Sequence, residues 1–356
     1  STTIGMGIMV ASFRSTVEDW LHWTLQADIY VSAPHSISSR SDGTLDTKVL
    51  ALVESLPGIR EISSGRRTKV ETEQGPIDLL ALSMASRSYR GFHFKEQSLP
   101  DIWRKFRDGD AILVSEPYAY HQRLSVGSRI GLFTAEGLQY FLVGGVFYDY
   151  GSDRGMLVMN RQVYQRLWRD SEISALGVYL EPGVNTTYTL QAINQALAGV
   201  DQQLLIRSNG EIRSSSLKIF DRTFTVTQVL RLLAVGVAFI GIFNALLALL
   251  LERAKEHAVL RAIGVTPRQL LGLVSLQAGL MGFLAGLLAL PLGWVMSRIL
   301  IQVINLRSFG WTIQPLIPSG VLLEAMLLSL LAALLAAIYP AWKITRVQPA
   351  AALREE

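Results

Sequence analysis

The residue types that catalyse reactions or hold metals are sparse in this sequence and are not arranged for either task. The chain of 356 residues has no cysteine, so disulfides, zinc–thiolate sites, thiol nucleophiles and iron–sulfur clusters are excluded. Its five histidines lack the spacing of metal ligands, and no His-Glu-x-x-His motif is present. We therefore predict no catalytic residue, no metal site and no bound cofactor, and a protein that is not an enzyme.

The glycine-containing motifs do not point to phosphate binding or nucleophilic catalysis. The chain has no Gly-Lys pair, so it lacks the G-x-x-x-x-G-K-[ST] loop with which many ATPases hold ATP. In Gly151–Gly155 the serine does not occupy the middle position that a nucleophile elbow requires, and we interpret this segment as a turn.

The segment Glu252–Leu270 has a pattern that suits docking rather than catalysis. Charged residues crowd its first turn, namely Glu252, Arg253, Lys255 and Glu256. Small or apolar residues recur at helical spacing as a stripe, namely Ala254, Ala258, Val259, Ala262 and Ile263. Gly264 is expected to end this helix in the left-handed conformation, and Thr266 with Gln269 is expected to begin the next as a capping box.

Two interpretations of this amphipathic segment are open. It could be an interfacial helix that lies on lipid, or a docking helix for a cytoplasmic protein. The mixture of charges favours a protein partner, because Glu252 and Glu256 would be repelled by an anionic membrane surface.

Three long uncharged runs predict membrane helices around this segment. Leu232–Leu251, Gln269–Ser297 and Ala325–Trp342 have 20, 29 and 18 residues, lengths that suit a bilayer crossing. Gly282 and Gly286 in the second run form a G-x-x-x-G pair, which permits close helix packing in lipid. Glycine is also common in membrane helices in general, so the pair could be compositional.

The charge of the connecting loops predicts the orientation of these helices. Residues 252–268 hold four basic side chains, whereas residues 302–320 hold one. The positive-inside rule then places 252–268 and 343–356 in the cytoplasm, and 12–228 and 302–320 outside it. The apolar opening segment is too short to cross a bilayer, and we expect it to be the end of a transmembrane helix.

Residues 12–228 predict an α+β region with balanced charge, 23 basic and 24 acidic residues. The predicted helices are 46–55, 117–123, 161–168 and 189–198. The predicted strands are 28–32, 70–72, 77–82, 111–114, 129–134, 138–147, 156–159, 176–180 and 204–206. We expect two lobes, 28–105 with 175–210, and 108–170. The basic cluster around Arg104 is interpreted as a solvated surface, so no nucleic acid is expected.

Several segments resemble one family of membrane proteins. ERAKEHAVLRAIG (252–264) and YPAWKITRVQPAAALREE (339–356) are similar to the FtsX-like/MacB permeases of ABC transporters. The segments 109–132, 141–150 and 155–168 resemble the periplasmic core domain of that family. The resemblance extends over essentially the whole chain.

The resemblance also suggests where the chain belongs within a larger permease. Some members carry two such units in one polypeptide, and ADIYVSAP (27–34) after SFRSTVEDWL (12–21) resembles their second unit. We therefore expect this chain to be the C-terminal unit of a long two-unit permease.

The resemblance implies an α+β extracytoplasmic domain plus a transmembrane bundle of three complete helices and one truncated helix. Residues 1–27 would be the end of the truncated helix and its extension. Residues 28–228 would be the extracytoplasmic domain, and 229–356 the FtsX-like transmembrane domain with a coupling helix and a cytoplasmic tail.

The function implied is that of a permease subunit in the bacterial inner membrane that binds no ATP itself. A separate cytoplasmic ABC ATPase would bind ATP and move the extracytoplasmic domain, for export or for mechanical transmission. The coupling residues implied are Glu252, Arg253, Glu256, Ala258, Val259, Arg261 and Gly264. The tail residues implied are Pro340, Arg346, Pro349 and Leu353.

Further partners and two alternative functions follow from the same resemblance. The partners would be membrane lipid, a second permease unit or a second copy, and a periplasmic adaptor. One alternative is an FtsX-type regulator that activates an extracytoplasmic partner such as a cell-wall hydrolase. A secondary transporter fits less well, because such proteins need ionisable groups or broken helices at mid-membrane, and the three runs hold no charge near their centres.

Overall fold

The computed structural model describes residues 2–34, 43–253, 256, 259–260 and 263–345. The chain forms two compact units. The sheet unit comprises Thr16–Ile219 and Asn305–Thr312. The helical unit comprises Ser1–Ser15, Phe220–Ile304 and Ile313–Glu356. The chain therefore passes between the units four times, at residues 15/16, 219/220, 304/305 and 312/313.

The strands of the sheet unit form one mixed sheet. They are β1 Ile29–Ser32, β2 Ile59–Thr72, β3 Gly75–Ser83, β4 Ala111–Ser115, β5 Arg129–Thr134, β6 Gly137–Phe147, β7 Met156–Asn160, β8 Ala175–Leu180 and β9 Leu205–Ser208. Their order is β3-β7-β4-β6-β5-β2-β8-β1-β9, and an additional β2–β3 pairing closes six of them into a ring. The pairs β3–β7 and β4–β6 are parallel. This arrangement confirms the predicted α+β class.

Short helices cover this sheet, and three of them begin after an Asp or Asn residue that caps the helix. They are α2 Thr47–Glu54, α3 Ile102–Asp108, α4 Glu116–Gln122, α5 Arg161–Trp168 and α6 Thr186–Leu197. The side chains of Asp46, Asn160 and Asn185 accept hydrogen bonds from the first backbone N–H groups of α2, α5 and α6. These caps satisfy donors that a helix leaves unpaired at its start.

Two main groups of buried side chains correspond to the two predicted lobes, except that the second half of β2, β3 and α3 pack with the elements of the lobe predicted at 108–170. Ile29, Val49 and Ile193 belong to the first core. Leu79 of β3 packs in the second core with β4 to β7, although β3 was predicted in the first lobe. The reason is that β2 pairs with β8 over its first half and with β3 over its second half, which carries β3 across to the other core.

The helical unit contains the predicted apolar helices. The remaining α-helices among the described residues are α1 Thr2–Thr24, α7 Asn209–Thr223, α8 Thr225–Glu252, α9 Pro267–Arg298, α10 Leu306–Phe309 and α11 Ser319–Thr345. Of these, α10 belongs to the sheet unit, and α1 and α7 continue from one unit into the other. Within the part of the chain that the structure describes, three helical stretches are long and apolar enough to cross a membrane, namely Asn209–Leu249, Pro267–Phe309 and Ser319–Ile338. These contain most of each of the three predicted runs. A π-helical turn, Ile299–Asn305, follows α9 directly.

Close packing of α9 on α11 explains the G-x-x-x-G pair. A Cβ atom built on Gly282 would lie 2.5 Å from Cβ of Ala333, and one built on Gly286 would lie 2.5 Å from Oγ of Ser329. Any larger residue would force the two helices apart, so the packing interpretation is confirmed.

Candidate functional site

The docking segment predicted between α8 and α9 is described in part. Glu252 is the last residue of α8, and the side chains of Glu252, Arg253, Glu256 and Val259 are exposed. Ala258 and Arg261 lie outside the described residues, as do Ala254, Lys255 and Ala262. The docking role of these residues therefore stays a prediction.

The two predicted caps at the end of this segment are present. Gly264 has φ +103°, and the N–H of Val265 donates to the carbonyl oxygen of Leu260 at 3.0 Å, as in a Schellman cap. The side chain of Thr266 accepts from the N–H of Gln269, whose side chain accepts from the N–H of Thr266 in return. The break between this segment and α9 is thus fixed by backbone geometry on one side and a capping box on the other.

The predicted tail residues fall at the end of the described chain. Pro340 lies in α11, whereas Arg346, Pro349 and Leu353 lie outside the described residues. Their role stays a prediction.

A site that the sequence did not predict holds the loop between α9 and α11. Residues 305–312, here called the clasped loop, belong to the sheet unit, although the chain on both sides of them belongs to the helical unit. The side chain of Asn305 donates to the carbonyl oxygen of Trp311 at 2.9 Å, which closes the loop on itself. The contacts that fix the loop to the sheet unit come from the end of β4 and from the segment after β6.

Glu116 provides the central contact of the clasped loop. It is the first residue of α4, and its side chain is 1% exposed. One carboxylate oxygen accepts from the hydroxyl of Thr312 and lies 2.7 Å from Nζ of Lys95. The other accepts from the N–H of Thr312 at 3.1 Å. A buried carboxylate costs free energy unless it is paired, and here a cation and two loop donors provide the pairing.

Three further contacts position the same loop. The hydroxyl of Tyr150 donates to the carbonyl oxygen of Thr312 at 2.7 Å, and the indole N–H of Trp311 donates to the carbonyl oxygen of Ser152 at 3.3 Å. Gly310 has φ +72°, and a Cβ there would lie 2.9 Å from Cα of Pro117. Only glycine combines that backbone conformation with so close an approach to α4.

Burial and a nearby negative charge keep the hydroxyl of Tyr150 protonated. Burial raises the pKa of Tyr150 above its ordinary value, and the negative charge of Glu116 raises it further. Burial and Glu116 raise the pKa of Tyr148 in the same way. Tyr150 therefore keeps its proton at physiological pH and can donate to Thr312.

Sequence reasoning missed this site because its members are far apart in the chain. Glu116 and Thr312 are separated by 196 positions. The signals that could have drawn attention were local: a tryptophan next to a glycine in a short loop, and a glutamate directly after an apolar strand.

The comparisons with known proteins agree on the class of membrane protein. Residues 229–349 match the FtsX-like permease C-terminal family. Over the whole chain, 39% of residues are identical to the ABC transporter permease protein Rv0987 of Mycobacterium tuberculosis, of which 42% is covered. The lipoprotein-releasing system transmembrane protein LolC of Xylella fastidiosa is 24% identical over 72% of this chain and 63% of its own length.

The matches to these relatives are partial. The chain spans less than two thirds of the length of each of these relatives. Among solved structures, the periplasmic region of MacB from Actinobacillus actinomycetemcomitans aligns with a TM-score of 0.41 and 11% identity, covering 55% of this chain and 94% of that one.

The family match and the two relatives agree with the predicted resemblance. The chain therefore carries an FtsX-like permease domain and is homologous to ABC transporter permeases.

Proposed function

We propose that this chain is the membrane permease part of an ABC system, and that it transmits ATP-driven motion of a cytoplasmic ATPase to its extracytoplasmic sheet unit. The family match and the two permease relatives support this class of function. The clasped loop is the observation that favours mechanical transmission, because hydrogen bonds from Thr312 to the buried carboxylate of Glu116 fasten the connection between two apolar helices within the sheet unit.

The path of this motion follows the chain. The docking segment ends at the Gly264 cap, and α9 begins directly after the capping box at Thr266. The 32 residues of α9 extend about 48 Å at 1.5 Å per residue, more than the thickness of a bilayer core. The π-helical turn and the clasped loop follow without interruption. Displacement of the cytoplasmic end of α9 would thus reach a loop that is hydrogen-bonded to the sheet unit.

The ATPase would bind ATP, so this chain needs no phosphate-binding site of its own. The exposed residues Glu252, Arg253, Glu256 and Val259 would meet the ATPase, together with Ala258 and Arg261. Interface charges of this kind mainly set orientation and partner choice, while a small apolar face permits close approach. We place this segment in the cytoplasm and the sheet unit outside the inner membrane, following the loop charges.

Lipid and further permease subunits would contact the apolar helices. Leu232, Leu233 and Val237 of α8 are more than 60% exposed, as expected for side chains that face lipid or a neighbouring subunit. A second permease unit, or a second copy of this chain, is the protein partner that we propose there. A periplasmic adaptor stays a prediction from the resemblance.

The test is an interface variant in the chain co-expressed with a candidate ABC ATPase from the same genome that copurifies with the wild-type chain. Ala258→Glu would introduce a charge that must lose its water at the interface, a change that typically costs a few kcal/mol when no partner is present. We expect copurification of the ATPase and permease-stimulated ATP hydrolysis to fall together. Ala198→Glu, the same change at an exposed site of the sheet unit, is the matched control and should leave both at wild-type levels.

A second variant tests the transmission step separately from binding. Gly264→Val places a β-branched residue at φ +103°, which costs about 1–2 kcal/mol in the left-handed region. Apart from the adjoining residues, no described atom lies within 4 Å of a Cβ at this position, so the expected effect is on the backbone cap. We expect the ATPase to remain bound while stimulated hydrolysis drops. If Ala258→Glu leaves both binding and stimulation unchanged, the segment is an interfacial anchor and the docking proposal is wrong.

A further inference from the structure

A cavity of about 360 Å³ lies within the sheet unit. Its floor is formed by Leu80 and Leu82 of β3 and by Met156 of β7. Because side chains alternate along a strand, these three point away from the core that Leu79 and Leu157 help to fill. All three are only half-buried, so the cavity exposes apolar surface that a bound molecule could cover.

Aromatic rings from separate segments form the walls of this cavity. Trp20 comes from the end of α1, Phe92 from the segment after β3, Phe147 from the end of β6 and Tyr179 from β8. The rings of Phe92 and Phe147 pack edge to face at 5.3 Å, and the hydroxyl of Tyr179 is hydrogen-bonded to that of Ser88 at 2.7 Å. These contacts hold the rings in place, so the cavity has the preformed apolar lining that is typical of small-molecule sites.

The charges that line the cavity cancel. Among its described lining residues, Arg67 and Asp149 alone carry a full charge, and their signs are opposite. Burial raises the pKa of Asp149 to about 6 and the positive charge of Arg67 acts in the other direction, so this carboxyl is mainly ionised at pH 7.

The carboxylate of Asp149 is also closed to a ligand. One of its oxygens accepts from the N–H of Gly151 at 3.0 Å, and the other is fully buried. A charged molecule would therefore lose its hydration in this cavity without meeting a net opposite charge.

The volume limits the size of the molecule that fits. An apolar cavity of roughly 150 Å³ in another protein holds one benzene ring. The present cavity is more than twice as large, which corresponds to two fused aromatic rings. We infer that this cavity binds an uncharged, apolar molecule of about that size, which would lie on Leu80 and Leu82 between the aromatic walls. The inference rests on the sheet unit alone and is independent of ATPase coupling.

The experiment compares three probes that share one naphthalene body and differ in charge. At pH 7, 2-naphthylmethanol is uncharged, 2-naphthylmethylamine is cationic and 2-naphthoate is anionic. Each is titrated by calorimetry into the full chain in lipid nanodiscs, with empty nanodiscs as the blank that corrects for partition into lipid. The alcohol should bind at least about 10-fold more tightly than either charged probe, because neither ion finds a net opposite charge in the cavity.

Two matched variants place the binding in this cavity. Leu82→Trp fills space above the floor and should weaken binding of the alcohol by about 10-fold or more. Leu138→Trp makes the same change at a side chain of β6 that is 38% exposed, and it should leave the affinity unchanged.

A second readout uses the absence of cysteine from the chain. Met84 lines the cavity, and alkylation of Met84→Cys by iodoacetamide should slow when the alcohol is present. Alkylation of Gln97→Cys, at an exposed position outside the lining, should keep its rate.

Three results would overturn the inference: no saturable binding of the alcohol, equal or tighter binding of a charged probe, or alcohol binding that Leu82→Trp leaves intact. If Leu82→Trp does not fold, the alkylation rates decide instead. An alcohol that binds without slowing the reaction of Met84→Cys would then contradict binding in this cavity.

Discussion

Removal of the Glu116 carboxylate should release the clasped loop while the sheet unit stays folded. In Glu116→Ala the N–H and the hydroxyl of Thr312 lose a charged acceptor, and Lys95 loses its partner. The contacts from Tyr150 and from the indole of Trp311 remain, so the loop would open more often rather than detach permanently.

The magnitude follows from the two hydrogen bonds that Thr312 no longer donates to Glu116. A hydrogen bond to a charged group contributes about 1.5–3 kcal/mol, and water recovers part of that when the loop opens. The side chain of Lys95 is 31% exposed and can regain solvent. A net loss of about 2–3 kcal/mol corresponds to roughly 30- to 150-fold more frequent opening.

Amide hydrogen exchange of the peptide that covers the clasped loop measures this opening directly. Glu116→Ala should accelerate exchange at Thr312 by roughly 30- to 150-fold, and Glu116→Gln, which keeps the shape of the acceptor, by less. Glu96→Ala, a neighbouring exposed carboxylate, is the control and should change nothing. Unchanged exchange at Thr312 in Glu116→Ala would show that the carboxylate does not hold the loop.

Three other outcomes are expected. Burial raises the pKa of Asp149 to about 6, so the folded protein loses stability as the pH rises from 4 through 6. Asp149→Asn should therefore raise the melting temperature at pH 7, where the gain in the free energy of unfolding is about 3 kcal/mol, and leave it unchanged at pH 4. An equal shift at both pH values would contradict this. Gly282→Leu should lower the melting temperature because its Cβ overlaps α11, whereas Gly272→Leu should not, because no described atom lies within 4 Å of a Cβ there. Equal effects of the two variants would contradict the close packing of α9 on α11. An impermeant maleimide should label Gln97→Cys in intact spheroplasts and Arg253→Cys only after permeabilisation, and the reverse pattern would overturn the proposed orientation.

The strands that sequence patterns predicted have either regular alternation or a short continuous apolar run such as 111–114. In Ile77–Leu82, alternate residues enter the core of the ring, and the structure extends this strand by two residues at its start and one at its end. The caps at Gly264 and Thr266 were likewise visible, because each depends on residues a few positions apart. Such local signals need no knowledge of the rest of the fold.

The first half of β2 was not predicted, for a physical reason. Residues 59–69 are rich in charged and polar side chains and lack a clean apolar face. Their place in the sheet depends on distant partners: Nε of Arg66 donates to Asp170 at 2.9 Å, and its guanidinium lies 3.0 Å from Glu172. The Glu116–Thr312 contact is of the same kind. Pairings across a hundred or more residues leave no periodic trace in one sequence.

The proposed motion passes from the ATPase to the sheet unit, and distance measurements between spin labels test it most directly. The chain has no cysteine, so labels at introduced cysteines are unambiguous. One pair, Gln97 and Arg307, lies within the sheet unit; the other, Gln97 and Leu273, joins the two units. On trapping the ATPase complex with ATP, we predict that the second distance distribution shifts while the first does not. An unchanged second distance in a complex that hydrolyses ATP would contradict mechanical transmission.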